Sequence, residues 1–411
     1  MRSRTRPGVR SLCVALLAAT ALLVAGCLHY PDRETSISPL PAAGERVAPG
    51  LGPEARPLSS GPGDKGSPSW SPRGGRIAFI VDGYVVDRPV GTGNTRRWTT
   101  KDFVAEDTEW VSEDGLAIFG AASGAVPAGE APAGEAPRSV YRARSGEQSL
   151  GVEEVATKVL AMSPGPGGEG LIVAARLGPH GSELSLLRDS GALDRIYTSA
   201  VDGHITGLSL SPDGRRAILA VRAARDLASF ELHVFDLRVG THRRIARLGE
   251  GLEIFGAPQW TEKGICYVVG KEETSVEGGG EPLYDLYTTT PGSDSPEPTP
   301  GVGEDFVASS IRVSPDGGRL AVIGRLNPKA PINLYVLDLA AQDLEAVTTN
   351  EDMEIKTGPD DLAWSPGGES IAIVARGALS EEPHVRAAPK GALLEDFYNL
   401  YEIPVEGRGA R

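Results

Sequence analysis

Three cysteines among 411 residues leave little scope for disulfide chemistry. The six histidines, His29, His180, His204, His233, His242 and His384, are scattered, and none forms a close metal-ligand pair. No Gly-x-Ser-x-Gly elbow, His-Glu-x-x-His pair or Asp-x-Asp-x-Asp-Gly run occurs. Those absences remove the sequence signatures of an α/β-hydrolase nucleophile, a zincin metal site and an EF-hand calcium loop. We therefore expect no metal and no cofactor. Positive charge is also short: 41 Lys and Arg stand against 55 Asp and Glu, a formal net charge of −14. Such a chain is a poor candidate for nucleic acid, or for anionic headgroups through its own surface. No long segment keeps a 3.6-residue apolar period, so a helical core is not expected.

What the chain does contain is a phrase repeated seven times. Each copy is an apolar residue or Trp, then Ser or Thr, a tight turn, and a β-branched apolar run. The copies begin Trp70-Ser71-Pro72, Val111-Ser112-Glu113, Met162-Ser163-Pro164, Leu210-Ser211-Pro212, Trp260-Thr261-Glu262, Val313-Ser314-Pro315 and Trp364-Ser365-Pro366. Successive Ser/Thr positions are 41, 51, 48, 50, 53 and 51 residues apart. A period of this size is the mark of a radial repeat. In Ser211-Pro212-Asp213-Gly214 and Ser314-Pro315-Asp316-Gly317, Pro presets φ, Asp bonds its own backbone and Gly accepts φ > 0. Each copy thus reads as strand, turn, strand.

A third strand follows, as in Leu232-His233-Val234-Phe235 and Leu334-Tyr335-Val336-Leu337, and then a fourth, as at Thr241–Ala246 and Leu344–Thr349. Four antiparallel strands per unit predict an all-β fold, a β-propeller of seven four-stranded blades. The last unit stops after its third strand. Residues 54–60 resemble the outer strand of unit six, so they are expected to complete the last blade and leave no open edge.

The pattern Trp-Ser-Pro-x-Gly-Gly-x-Ile-Ala at Trp70–Ala78 and Trp364–Ala372, with Leu210–Leu219 and Val313–Val322, resembles TolB-type WD-like propeller repeats. The resemblance covers about residues 54–411. It implies a propeller fold and, for TolB itself, a periplasmic component of an envelope-spanning complex with a small α/β domain before six blades. Seven units, and too little sequence before them for that domain, predict a chain TolB-like in fold and not TolB in role.

The N-terminus carries Arg2, Arg4, Arg6 and Arg10, then an apolar run from Leu12 to Ala25, too short for a typical spanning helix. It ends in Leu23-Val24-Ala25-Gly26-Cys27, which resembles a bacterial lipobox. Residues 1–26 are expected to be a lipoprotein signal peptide, and Cys27 the lipidated first residue. The mature chain would then be anchored outside the cytoplasmic membrane, or to an outer membrane, with a net charge of −18. Residues 27–53, rich in Pro and Gly, read as a tether. Cys266, on an apolar strand, reads as a small buried hydrophobe.

Acidic residues crowd the links between units. Asp102, Glu106, Asp107, Glu253, Asp305, Glu351, Asp352, Glu354, Asp360 and Asp361 form the candidate binding face, placed opposite the Ser-Pro turns. The longest insertions, 121–138, 271–282 and 376–396, fall on that same side, where loops on a rigid scaffold carry function. The expected partner is a basic envelope or exported protein, with the membrane engaged through the lipid. No catalytic residue is assigned. The alternative is a propeller enzyme, a metal-dependent lyase or hydrolase acting on an envelope or exported substrate, and its site would be assembled from distant units.

Overall fold

Strand-forming β-branched and aromatic runs, punctuated by Gly-containing turns, give a chain built of strands alone among the described residues. The computed structural model describes residues 51–405, except 52–54, 60–62, 92–93, 100–102, 123–137, 146–151, 165–169, 179–180, 189, 191, 200–202, 224–228, 250, 272–283, 291–295, 351–352 and 378–396. The leader, Cys27 and the tether up to residue 50 lie outside these, as do Asp102, Glu351, Asp352 and most of the three long insertions.

Strand β1 (Arg56–Pro57) precedes unit one, which comprises β2 (Lys65–Trp70), β3 (Arg76–Val81), β4 (Tyr84–Pro89) and β5 (Arg96–Arg97). Unit two has β6 (Phe103–Ser112), β7 (Gly115–Ala122) and β8 (Arg138–Arg144). Next comes β9 (Glu153–Pro164), followed by β10 (Leu171–Gly178), β11 (Gly181–Leu187) and β12 (Leu193–Ser199) of unit three. Unit four is β13 (Gly203–Leu210), β14 (Arg216–Ala223), β15 (Phe230–Asp236) and β16 (Thr241–Arg247). Unit five is β17 (Leu252–Trp260), β18 (Ile265–Lys271), β19 (Tyr284–Thr289) and β20 (Glu297–Pro298). Unit six is β21 (Val307–Val313), β22 (Arg319–Arg325), β23 (Asn333–Asp338) and β24 (Asp343–Ala346). Unit seven is β25 (Met353–Ile355), β26 (Leu362–Trp364), β27 (Ser370–Gly377) and β28 (Asn399–Pro404).

Units one, four, five and six are four-stranded antiparallel sheets in chain order. In unit seven β1 pairs with β28, Arg56 opposite Glu402 and Pro57 opposite Tyr401. Units two and three share one seven-stranded sheet through β9. Its first half pairs with β8 and its second half with β10, and Val159 is common to both ladders. The strand turns at Lys158, which takes φ 56°. The outer strand of unit two therefore runs directly into the first strand of unit three, without the separate link that the repeat predicts.

The Ser-Pro turns are built as their chemistry requires. Ser211 Oγ accepts the Arg216 amide at 2.9 Å and lies 2.6 Å from Asp213 Oδ1, while Gly214 takes φ 64°. Turns of successive units touch at one end of the sheets: a Cβ on Gly317 would meet Glu262 and Pro212, and one on Gly368 would meet Arg319 and Pro315. In unit two the register differs from the sequence reading. Trp110, not Val111, faces Leu116 as Trp70 faces Ile77, because a bulge between Trp110 and Ser112 absorbs one residue.

Apolar clusters lie between successive sheets. Ile218, Leu232 and Ile254 pack with Trp260 and Tyr267 between units four and five. Ala321, Ile323 and Leu334 pack with Ile371 and Tyr401, and with Leu51, between units six and seven. The motif tryptophans tie each sheet to the one before it. Trp110 Nε1 donates to Ser69 O at 3.0 Å, Trp364 to Arg312 O at 2.8 Å and Trp70 to Ala363 O at 3.3 Å. Arg216 and Arg319, each opening a second strand, stack on Trp260 and Trp364 of the following unit at 4.5 and 5.0 Å. Cys266 is buried, as expected, and bonds Thr288 Oγ1. Burial pushes its thiol up.

Candidate functional site

The first strand of every unit has a defect at mid-length. Register shifts fall between Gly66 and Ser69, Ala105 and Asp107, Ile205 and Gly207, Phe255 and Gln259, and Ala308 and Ser310; β9 shifts opposite Ala174 and Ala175. In unit seven the strand is interrupted altogether between β25 and β26. A bulge inverts which alternate residues are buried. In β6, Phe103 and Ala105 are buried before the shift, and Thr108 and Trp110 after it. Asp107 and Glu109, two apart beyond the shift, share the face opposite Thr108 and Trp110.

These first strands converge. Ser69 Oγ donates to Glu109 Oε2 at 2.7 Å, joining units one and two. Arg312 Nη2 lies 3.4 Å from Asp360 Oδ1, joining units six and seven. Gly207 and Gly256 give the backbone room: a Cβ on Gly207 would sit 2.8 Å from Gly256 O, and one on Gly256 would sit 2.9 Å from Pro359. Burial raises the Asp107 carboxyl well above the usual aspartate range, and the nearby Asp360 and Glu109 charges add to this, opposed by Arg312. Burial also raises Glu109, while Arg312 and the Ser69 bond pull it down. Asp360 thus pairs with the Arg312 guanidinium of unit six, and Asp107 and Glu109 of unit two lie within its electrostatic reach.

The other predicted residues separate. Glu106 is exposed and pairs with Arg138 at 2.8 Å. Glu253 lies 3.7 Å from Arg222. Asp305 is exposed in the turn before β21. Asp361 belongs to a clasp between units seven and one, and Glu354 is paired within unit seven. Asp361, 5 % exposed, bonds Lys356 Nζ at 3.1 Å and accepts the Ser67 amide at 3.3 Å. Glu354 accepts Arg376 at 2.6 Å and the Tyr398 hydroxyl. Lys65, on the same side, is pushed down to about 8 by burial, against the pull of Asp82 and Asp64. Asp361 is therefore engaged in holding two sheets together, and Glu354 in ties within unit seven.

Sequence reading passed over Arg312. One signal marks it: the residue before each motif start, in structural register, is Ser69, Glu109, Ala161, Ser209, Gln259, Arg312 or Ala363. A charged residue among small and polar ones at this repeated position stands out once the second copy is read from Trp110. Among the described residues no group of three or more His, Cys, Asp or Glu side chains is arranged to hold a metal ion.

The raised carboxyl has a consequence for stability. The folded chain keeps the Asp107 proton to higher pH than the unfolded chain, so stability falls as pH rises from about 4 through the raised value. Asp107→Asn keeps the oxygen that accepts the Thr108 amide at 2.8 Å and removes the buried charge. We predict a higher melting temperature than wild type at neutral pH and no difference at the acid end. Superimposable melting-temperature profiles against pH would count against a buried, proton-retaining Asp107.

No protein-family model and no curated protein matches the chain. Solved structures do. Oligogalacturonate lyase from Vibrio parahaemolyticus aligns with a TM-score of 0.52 at 11 % identity, over 86 % of this chain and 93 % of that one. An oligogalacturonate lyase in complex with manganese aligns with a TM-score of 0.51 at 13 % identity, over 86 % and 93 %. TolB from Acinetobacter baumannii gives a TM-score of 0.39 at 14 % identity; the match spans 66 % of this chain and 61 % of that protein. At these identities the two lyase matches bear on the fold alone, and that fold is a β-propeller.

Proposed function

We propose that this chain is an exported, lipid-anchored seven-bladed propeller, closed by β1 on the last sheet, that binds a cationic group of an envelope or exported protein. The observation that carries the reading is the gathering of Asp107, Glu109 and Asp360 around the single guanidinium of Arg312 by strands of three units. Structure alone does not require these charges. Burial raises two of the carboxyls, so ionising the cluster costs the fold free energy. An incoming ammonium or guanidinium would supply positive charge, favour the ionised carboxyls and so bind more tightly as pH rises through their raised range. The anchor at Cys27 would hold this site at the membrane on its Pro/Gly-rich tether.

The test is a Lys-rich peptide titrated into the full chain by calorimetry at two pH values. Binding should be tighter at the higher pH, and Asp107→Asn with Asp360→Asn should weaken it at least tenfold. Equal affinity for the wild-type chain and the double variant would sink the reading. Crosslinking in intact cells then identifies the natural partner by mass spectrometry.

A second reading, the propeller enzyme, draws on the same geometry. A carboxyl raised by burial beside other charged groups is equipped to donate a proton. Turnover of an oligosaccharide by the purified chain, lost in Asp107→Asn, would favour this reading over simple binding.

A further inference from the structure

The net charge of −14 hides a strong local imbalance. Between Gly203 and Gly249, unit four carries eight arginines against four acids, so the rest of the chain is more acidic still. The basic groups concentrate at the turn end of its outer strand. Arg215 lies in the Ser-Pro turn, Arg238 in the turn between β15 and β16, and Arg243 on β16. All three are exposed. The first two turns are joined by the Leu237 amide, which donates to Arg215 O at 2.8 Å.

None of these three guanidiniums has an ion-pair partner among the described residues. The carboxylates nearby are committed to turn amides. Asp236 Oδ1 accepts the Arg238 and Val239 amides at 2.9 and 3.2 Å, and Asp213 Oδ1 accepts the Arg215 amide at 3.1 Å. Arg244, by contrast, is paired with Glu231 at 2.7 Å.

At the tip between the arginines stands Val239, 68 % exposed, the most exposed large apolar side chain among the described residues. In unit three Leu193, the first residue of β12 after the equivalent turn, is also exposed at 36 %. Units three and four are packed face to face through Leu184, Leu208 and Phe235. An apolar turn tip flanked by unpaired cations thus stands on unit four, and the neighbouring unit three exposes a second apolar side chain at the start of its outer strand.

We infer that this turn edge of units three and four is a peripheral docking surface for an anionic phospholipid bilayer. The argument is one of shape and charge. A projecting apolar tip flanked by guanidiniums fits the headgroup region, where the tip enters and the cations meet phosphate. A stable protein interface would instead need a broad patch with aromatic anchors. Among the described residues no exposed Phe, Tyr or Trp accompanies these side chains, and the large apolar residues that are exposed number only four. Local charge overrides net charge here, because screening limits attraction to about 10 Å, less than the width of the molecule. The inference does not depend on the carboxylate site.

The test uses the full chain carrying Cys27→Ser, so that no acyl chain contributes, and sedimentation with two kinds of vesicle. One is pure phosphatidylcholine; the other is an equimolar mixture with phosphatidylglycerol. The chain should prefer the anionic vesicles, with the preference falling as salt rises. Arg238→Glu with Arg243→Glu should reduce the preference at least tenfold, and Val239→Asp should weaken it further. Lys329→Glu, an exposed charge reversal in the β22–β23 turn of unit six, should leave it nearly unchanged. Equal binding to both vesicles, or equal losses in the unit-four and Lys329 variants, would overturn the proposal. So would a chain that ignores both vesicles yet binds poly-glutamate through Arg238 and Arg243, which would assign the surface to an acidic protein.

Discussion

Replacing residues 51–59 with a Gly/Ser linker of equal length is expected to destabilise the whole chain by roughly 5 kcal/mol. Leu51 and Leu58 are 1 % and 4 % exposed, and each loses the burial of a whole side chain, about 1.5–3 kcal/mol. Leu51 packs into the cluster between units six and seven. The segment also satisfies the last sheet's outer edge. Leu58 N donates to Leu400 O at 2.8 Å, and Ser59 Oγ accepts the Leu400 amide at 2.8 Å. Each such bond contributes about 1 kcal/mol, and more when its loss leaves a buried amide unpaired. Domains hold only about 5–15 kcal/mol in total. The linker variant should therefore unfold at much lower urea, in one transition if the sheets are cooperative. A midpoint within experimental error of wild type would show that the N-terminal strand is dispensable to the last sheet.

Asp87→Ala is expected to cost about 3 kcal/mol, the typical penalty for removing one partner of a buried ion pair. Asp87 is fully buried in β4. Its two oxygens accept Arg96 Nε at 2.8 Å, Arg96 Nη2 at 3.2 Å, Trp98 Nε1 at 2.7 Å and the Arg76 side chain. Arg76 and Arg96 are only about a third exposed, so water replaces the carboxylate incompletely. Trp98 is fully buried and packs edge-on against Trp110 of unit two at 6.3 Å, so the loss spreads to the seam. Asp87→Asn keeps one acceptor and the volume. It should still lose most of the stability, because two guanidiniums then face a neutral group. Urea midpoints of both variants check this; an Asn variant equal to wild type would show that hydrogen bonding, not charge, holds the site.

Much of the strand order was legible because turn chemistry is local. Ser211 to Gly214 and Ser314 to Gly317 adopt the turns their side chains demand, and the second and third strands fall where the β-branched runs lie. The pairing of residues 56–57 with the last sheet was also legible, from an unmatched third strand at one end and a spare strand-like segment at the other. The site was not. Its acids were visible, but so were many others, and Glu253, Asp305 and Glu106 look no different in sequence from Asp107 and Asp360.

What the sequence determined alone is the repeat, since each turn is specified within four residues and recurs at a near-constant interval. Tertiary structure decided what the repeat could not. It let β9 serve two sheets, because a single residue in the left-handed region suffices to redirect a strand. It bulged each first strand, and so inverted which alternate residues are buried. It spent Asp361 on a clasp between units seven and one and Glu354 on ties within unit seven, and set Arg312 of unit six beside Asp360 of unit seven. Those outcomes depend on contacts between residues as many as 294 positions apart, as with Ser67 and Asp361, and no local pattern encodes such a distance.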